Sequence, residues 1–205
     1  MKKISLNLGC GIGFVKNFIN VDNFIDEKKT RKKTGEYVDS EIGENAIFVK
    51  GDMRALPFKD NYADYIESVD AIEHISHIDI GKVFSEMYRV LKPGGELVLF
   101  TTDFDELARL WSGYIADKPF DFEKYHDLME VIYGNQHHDG EYHKIPFNKD
   151  FLSKCLIVVG FKAEDIKMII YPTNCATWPP LKTWPKKKDQ VIRTQMIYVS
   201  VKKQK

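Results

Sequence analysis

With 205 residues, 43% of them hydrophobic, the chain is long enough for one sizeable core and short for two, so a single domain over 1–205 is expected. Thirty basic residues balance thirty acidic ones, which argues against chain-wide attraction to nucleic acid or an anionic membrane. Three cysteines without metal-ligand spacing describe no disulfide framework, no apolar run reaches membrane-spanning length, and Met1-Lys2-Lys3 enters the first strand directly, so a soluble, cytoplasmic protein is expected.

Ile4, Leu6 and Leu8 read as a short buried strand that stops at Gly9, Gly11 and Gly13. Glycine at these positions lets backbone N–H groups approach a bound molecule closely, at the strand end where open α/β sheets hold their ligands. A dinucleotide fingerprint would need glycine at position 14, where the chain has Phe14; Gly-x-Gly-x-Gly fits instead. Between Gly13 and Val21 there is room for little more than one helical turn, Phe14 to Phe18, where a first crossover helix is usually longer. Such a thin crossover leaves one face of the sheet available to a lid or to a second copy in a homodimer.

Ile19 to Val21 and Ile47 to Val49 read as the next two strands, ending in Asp22 and in Gly51-Asp52-Met53. Carboxylates at successive strand ends suit a nucleoside, whose ribose diol and adenine amine are hydrogen-bond donors. The intervening run from Lys28 to Lys33 reads as a solvated loop. Ala63 to Val69 is the fourth strand. Ile80, Val83, Phe84, Met87, Val90 and Leu91 then fall at helical spacing, ended by Pro93-Gly94-Gly95, with a fifth strand from Glu96 to Thr101. A short helix is expected near Asp105 to Leu110, followed by an aromatic-rich stretch; the insertion at about 103–146 reads either as a substrate cap or as a structural helix pair. Asn148 caps a helix through about Val159, Ala163 to Tyr171 is a sixth strand, and Val191 to Val201 alternates as a long last strand after a Trp/Pro loop at about 172–190.

Asn7-Leu8-Gly9-Cys10-Gly11, Asn20-Val21-Asp22, Gly51-Asp52 with Leu56-Pro57-Phe58, Glu73-His74-Ile75 and Arg89-Val90-Leu91-Lys92-Pro93-Gly94-Gly95 follow one another in order. This set resembles the class I S-adenosylmethionine-dependent methyltransferases over roughly residues 3 to 163. More narrowly, it is similar to their small single-domain branch associated with sugar, polysaccharide and natural-product tailoring. The resemblance implies an α/β, Rossmann-like three-layer sandwich with a mostly parallel seven-stranded sheet, whose last strand inserts antiparallel between the fifth and sixth.

It also implies S-adenosylmethionine as cofactor and methyl transfer to a small-molecule acceptor, with a sugar hydroxyl favoured. Gly9, Cys10, Gly11 and Gly13 would cradle the methionine part, Asp22 the ribose and Asp52 with Met53 the adenine, with Val69 also bordering the cofactor. Asp70, where the branch often has histidine, would interact with the cation, hold the acceptor or cap the next turn. His143 is the candidate base, being suited to proton removal near neutral pH. Tyr133, Gln136, His137 and Trp178 are candidate acceptor contacts. No metal is expected, because adjacent histidines such as His137 and His138 point different ways on a regular element. Two other readings stand beside this one: a cofactor-binding module without turnover, and a protein or nucleic-acid methyltransferase using the basic loop.

Overall fold

The computed structural model describes residues 3–11, 15–23, 47–116, 122–172, 180–183 and 195–205. Gly13, Trp178 and the basic run from Lys28 to Lys33 lie outside these residues.

Seven strands form one sheet: β1 (Ser5–Leu8), β2 (Ile19–Asp22), β3 (Ile47–Lys50), β4 (Ala63–Val69), β5 (Leu91–Thr102), β6 (Lys167–Tyr171) and β7 (Met196–Lys202). Their spatial order is β3-β2-β1-β4-β5-β7-β6. The first five pair in parallel, and β7 runs antiparallel to both neighbours. A strand buried on both faces needs apolar residues at nearly every position, and β7 meets that demand: Ile197, Val199 and Val201 enter the main core while Met196 and Tyr198 join a second cluster on the opposite face.

Helix α1 (Ile80–Val90) buries Ile80, Val83, Phe84, Met87 and Val90 on the first face, and α4 (Lys149–Val158) adds Leu152 and Leu156. The Asn148 side chain accepts from the Phe151 N–H at 2.9 Å, capping α4 as its sequence predicts. Between β5 and α4 lie α2 (Phe104–Ala116) and α3 (Phe122–Tyr133), joined through the Trp111 and Tyr125 rings 5.7 Å apart. No helix among the described residues is long and apolar enough to cross a membrane.

Several boundaries differ from the sequence reading; the last strand, expected from Val191, begins at Met196, with Gln195 before it and residues 191–194 outside the described ones. Residues 15–18 form a turn with Asn17 at φ 69°, not a helical turn. The Pro93-Gly94-Gly95 stretch does not separate α1 from the fifth strand: Leu91 already pairs with Ala63, and the extra residues are taken up as an irregularity before Tyr65 meets Glu96. Helix α2 continues past Leu110, because Trp111 finds a partner on α3. Residues 163–165 make a 3-10 turn ahead of β6 instead of its first residues.

Candidate functional site

Leu6 and Leu8 are wholly buried, which holds the end of β1 in the core and delivers the chain into a turn with Gly9 at φ 68° and Gly11 at φ 49°. The Gly9 and Cys10 N–H groups donate to the Val21 carbonyl, at 2.9 and 3.2 Å, so the turn is sewn to the neighbouring strand. A Cβ on Gly9 would stand 2.4 Å from that of Ala71 and 3.5 Å from Met53 Cε, so the turn is closed from below by the segment after β4 and flanked by Met53. Around Gly11 the situation reverses: among the described residues nothing lies within 4 Å of where its Cβ would be. Cys10 is buried, and that burial pushes its thiol far up, so it stays a neutral small residue of the turn.

Asp22 stands at the end of β2, and its Oδ2 accepts the Gly11 N–H at 2.8 Å. Asp52 follows β3, and Arg54 occupies both of its oxygens, with Nε at 3.0 Å to each and a terminal guanidinium nitrogen at 2.6 Å. These hydrogen bonds hold the Asp52 carboxyl below its usual range. Arg54 also reaches Asp79 at 3.2 Å. The Arg54 backbone N–H also donates to Oδ1 at 2.8 Å, so these contacts take up the roughly four lone-pair positions of the carboxylate, and a further donor would have to compete with Arg54.

Behind the turn stands Asn20, whose position in the Asn-Val-Asp motif gave no hint of its task. It is fully buried; its Oδ1 accepts from Val15 N–H at 2.9 Å and from Asn7 Nδ2 at 3.0 Å, and its amide donates to the Val15 and Ile47 carbonyls, both at 3.1 Å. One side chain thus fixes where the chain returns from the glycine turn and ties β2 to β3.

At the end of β4, Val69 is buried in the second cluster and Asp70 takes φ 45° while its N–H donates to the Phe100 carbonyl at 2.9 Å. The following 3-10 turn, Ile72–His74, has Ala71 at its N-cap and no side-chain cap, so Asp70 does not play the capping part. Burial pushes the Asp70 carboxyl up to about 7. Burial and the charge of Asp70 push Glu73 up to about 8. Glu73 Oε2 and Thr101 Oγ1 are buried without a hydrogen-bond partner among the described residues.

The loop after α3 holds the remaining candidates. Gly134 has φ 81°, and a Cβ there would meet the Glu141 carbonyl oxygen at 1.8 Å, so only glycine lets residues 134 and 141 approach. His143 donates its backbone N–H to the Tyr133 carbonyl at 3.0 Å, and its Nδ1 lies 2.9 Å from the Val131 carbonyl. A carbonyl only accepts, so Nδ1 carries the proton and Nε2 keeps the lone pair. Burial lowers the pKa of His143. Its ring meets His74 edge to face at 4.8 Å, and burial, with His143 next, takes His74 down to about 4. His74 lies three residues beyond Ala71, which touches Gly9, so one short segment links the glycine turn to His143. Tyr133 is 47% exposed, Gln136 sits at φ 60°, and the exposed His137 is held by Glu141, which accepts from its backbone N–H and its Nδ1 at 2.9 Å each. Among the described residues no group of three or more His, Cys, Asp or Glu is placed to hold a metal ion.

The strand ends therefore bring Gly9, Gly11, Asp22 and Met53 around one turn, with the 70–74 segment beneath it and His143 beyond. The open space at Gly11, beside a carboxylate that already accepts a hydrogen bond, fits a polar ligand with hydroxyl donors. S-adenosylmethionine has that character in its ribose.

A model described as "Methyltransferase domain" matches residues 6–99. The chain is 30% identical over 99 residues, 44% of its length and 25% of the relative's, to the sterol 24-C-methyltransferase erg6 of Schizosaccharomyces pombe. It is 28% identical over 138 residues, 66% of its length and 50% of the relative's, to the ubiquinone/menaquinone biosynthesis C-methyltransferase UbiE of Rickettsia prowazekii. The alignments thus span no more than half of these curated relatives. A solved SAM-dependent methyltransferase from Archaeoglobus fulgidus superimposes with a TM-score of 0.58 at 18% identity, covering 98% of this chain and 86% of that one. Residues 6–99 match a methyltransferase domain, and the described strands and helices have the fold of the S-adenosylmethionine-dependent methyltransferases.

Proposed function

We propose that the chain is an S-adenosylmethionine-dependent methyltransferase acting on a small-molecule acceptor. The observation that carries this reading is the Asp22 carboxylate accepting the Gly11 N–H at 2.8 Å, in a turn where no described residue lies within 4 Å of a Cβ built on Gly11. The bound cofactor supplies an electrophilic methyl group on a positively charged sulfur.

What remains for the protein is orientation along one axis and, for a hydroxyl acceptor, removal of a proton. Asp22 accepts from the ribose hydroxyls, Asp52 and Met53 border the adenine, and Gly9 to Gly11 present backbone groups to the methionine part. Val69 and Asp70 border the cofactor at the end of β4. His143, neutral and with its lone pair on Nε2, takes the acceptor proton, and Tyr133, Gln136 and His137 contact the acceptor. The narrower reading, a sugar hydroxyl as acceptor, rests on the five-motif resemblance.

Calorimetry with S-adenosylmethionine and S-adenosylhomocysteine, on wild type and Asp22→Ala, tests the cofactor site. A methyl-transfer panel of sugars, sterols and quinols tests the acceptor. Absence of binding by the wild type would sink the proposal. Tight binding without any methylated product would favour a cofactor-binding module without turnover.

A further inference from the structure

Glu67 sits inside β4 with no exposed surface, on the opposite face from α1. A carboxylate in the interior of a sheet is strongly disfavoured unless its lone pairs are met by donors. Here they are met from one distant segment. The Lys182 N–H donates to both oxygens at 3.0 Å, the Thr183 N–H donates to Oε1 at 2.6 Å, and the Thr183 hydroxyl donates to Oε1 as well. The Tyr65 hydroxyl donates to Oε2, and Lys182 Nζ lies 3.3 Å from the centroid of the same Tyr65 ring. Burial, with Glu67 next, pushes the Tyr65 phenol well up, so it remains a donor.

The segment so held adds Leu181 to the cluster formed by Phe18, Tyr65, Val69, Val98, Phe100, Met196 and Tyr198, against which Val15 also packs. Val15 and Phe18 are where the chain returns from the glycine turn, and Val69 precedes Asp70. The described residues of the first connection, 15–18, put a turn against this face. A leucine would fill position 67 with less cost to the sheet, but it would present no acceptor to the two backbone N–H groups of residues 182 and 183.

We propose that Glu67 is a positioning residue: it clamps residues 181–183 onto the Val15, Phe18 and Val69 side of the sheet, and cofactor affinity depends on that clamp. The affinity half of this inference rests on the cofactor reading above.

Two readouts test it. Trypsin cleavage of the Lys182–Thr183 bond, followed by mass spectrometry, reports release of the clamp, because the chain must leave Glu67 to enter the protease. Calorimetry with S-adenosylhomocysteine reports the pocket. In Glu67→Gln, an amide N–H₂ group faces donors. Cleavage should rise by about tenfold and affinity fall by about tenfold, corresponding to loss of a charged hydrogen-bond acceptor, with far-UV circular dichroism unchanged. By reciprocity the ligand should slow cleavage in the wild type.

Wild-type cleavage in Glu67→Gln overturns the clamp, and faster cleavage at unchanged affinity overturns the positioning role. Should Glu67→Gln fail to fold, Thr183→Val removes one donor and keeps both backbone N–H groups. It should move both readouts the same way by about threefold, and no movement overturns the proposal. A wild type that binds no S-adenosylhomocysteine removes the cofactor reading and the positioning role together, while trypsin without ligand still decides the clamp.

Discussion

The Cβ that Gly9 lacks would stand 2.4 Å from the Cβ of Ala71, a contact that neither backbone can relieve by rotating a side chain. Gly9 also holds φ 68°, which costs an L-residue about 1–2 kcal/mol on its own. Gly9→Ala should therefore lower folding stability by at least about 2 kcal/mol in denaturant titration. Gly11→Ala has no such neighbour, so its stability loss should stay near about 1 kcal/mol while S-adenosylhomocysteine affinity falls at least about tenfold, because the new methyl group enters the ligand's space. Equal stability losses for the two variants would remove this distinction.

Asn20 hydrogen-bonds five backbone or side-chain groups from inside the core. Asn20→Ala leaves several of them buried and unpaired, so a loss of about 2–4 kcal/mol is expected in the same titration. A loss below about 1 kcal/mol would mean that water replaces the side chain.

Asp52 already carries Arg54, whose fork competes with any adenine amine. Arg54→Ala should raise the Asp52 pKa toward the usual carboxylate range, observable by NMR titration, and leave S-adenosylhomocysteine affinity within about threefold of wild type. Asp52→Ala should instead weaken binding by about 1–3 kcal/mol through the lost acceptor.

Burial pushes the carboxyls of Asp70 and Glu73 up from their ordinary values of 3.8 and 4.5 to about 7 and about 8, with the Asp70 charge adding to the rise at Glu73. The folded state then binds more protons than the unfolded state between those limits, so this pair's contribution to stability is full at low pH and is lost as pH rises through about 4 to 8. His74 and His143 act in the opposite direction, since their lowered values favour the folded state as pH rises toward 6.5. Subtracting the stability-pH curve of Glu73→Gln from that of the wild type isolates the Glu73 contribution, including its repulsion with Asp70. The difference should decline with pH over that window, and a rising difference would contradict it.

Gly134→Ala places a methyl group against the Glu141 carbonyl and should displace the loop that carries His143. The expected signature is loss of methyl transfer with cofactor affinity intact. Loss of both would place this loop in the cofactor site instead.

The ends of β1, β2 and β4 were legible because Gly9, Asp22 and Asp70 directly follow the buried Leu8, Val21 and Val69 or stand at the strand's last position, a local signal. The glycine turn and Asp22 were legible for the same reason, lying within 14 residues of one another from Gly9 to Asp22. Arg54 at Asp52, the Asn20 staple and the Glu67 clamp were not. The last two depend on which side chain a fold brings opposite another, and the Glu67 donors from Lys182 and Thr183 lie 115 and 116 residues away in the chain. Pro93-Gly94-Gly95 misled for a physical reason too: these residues usually end an element, but a strand irregularity accommodates them as well.

The last strand in sequence, β7, fills an interior position between β5 and β6. During synthesis both of its neighbours emerge first, with no partner for the edges that β7 will join. A nascent chain halted before Met196 would thus present two open hydrogen-bonding edges at once, inviting another chain to dock there. Its vulnerability to aggregation peaks just before the sheet is completed.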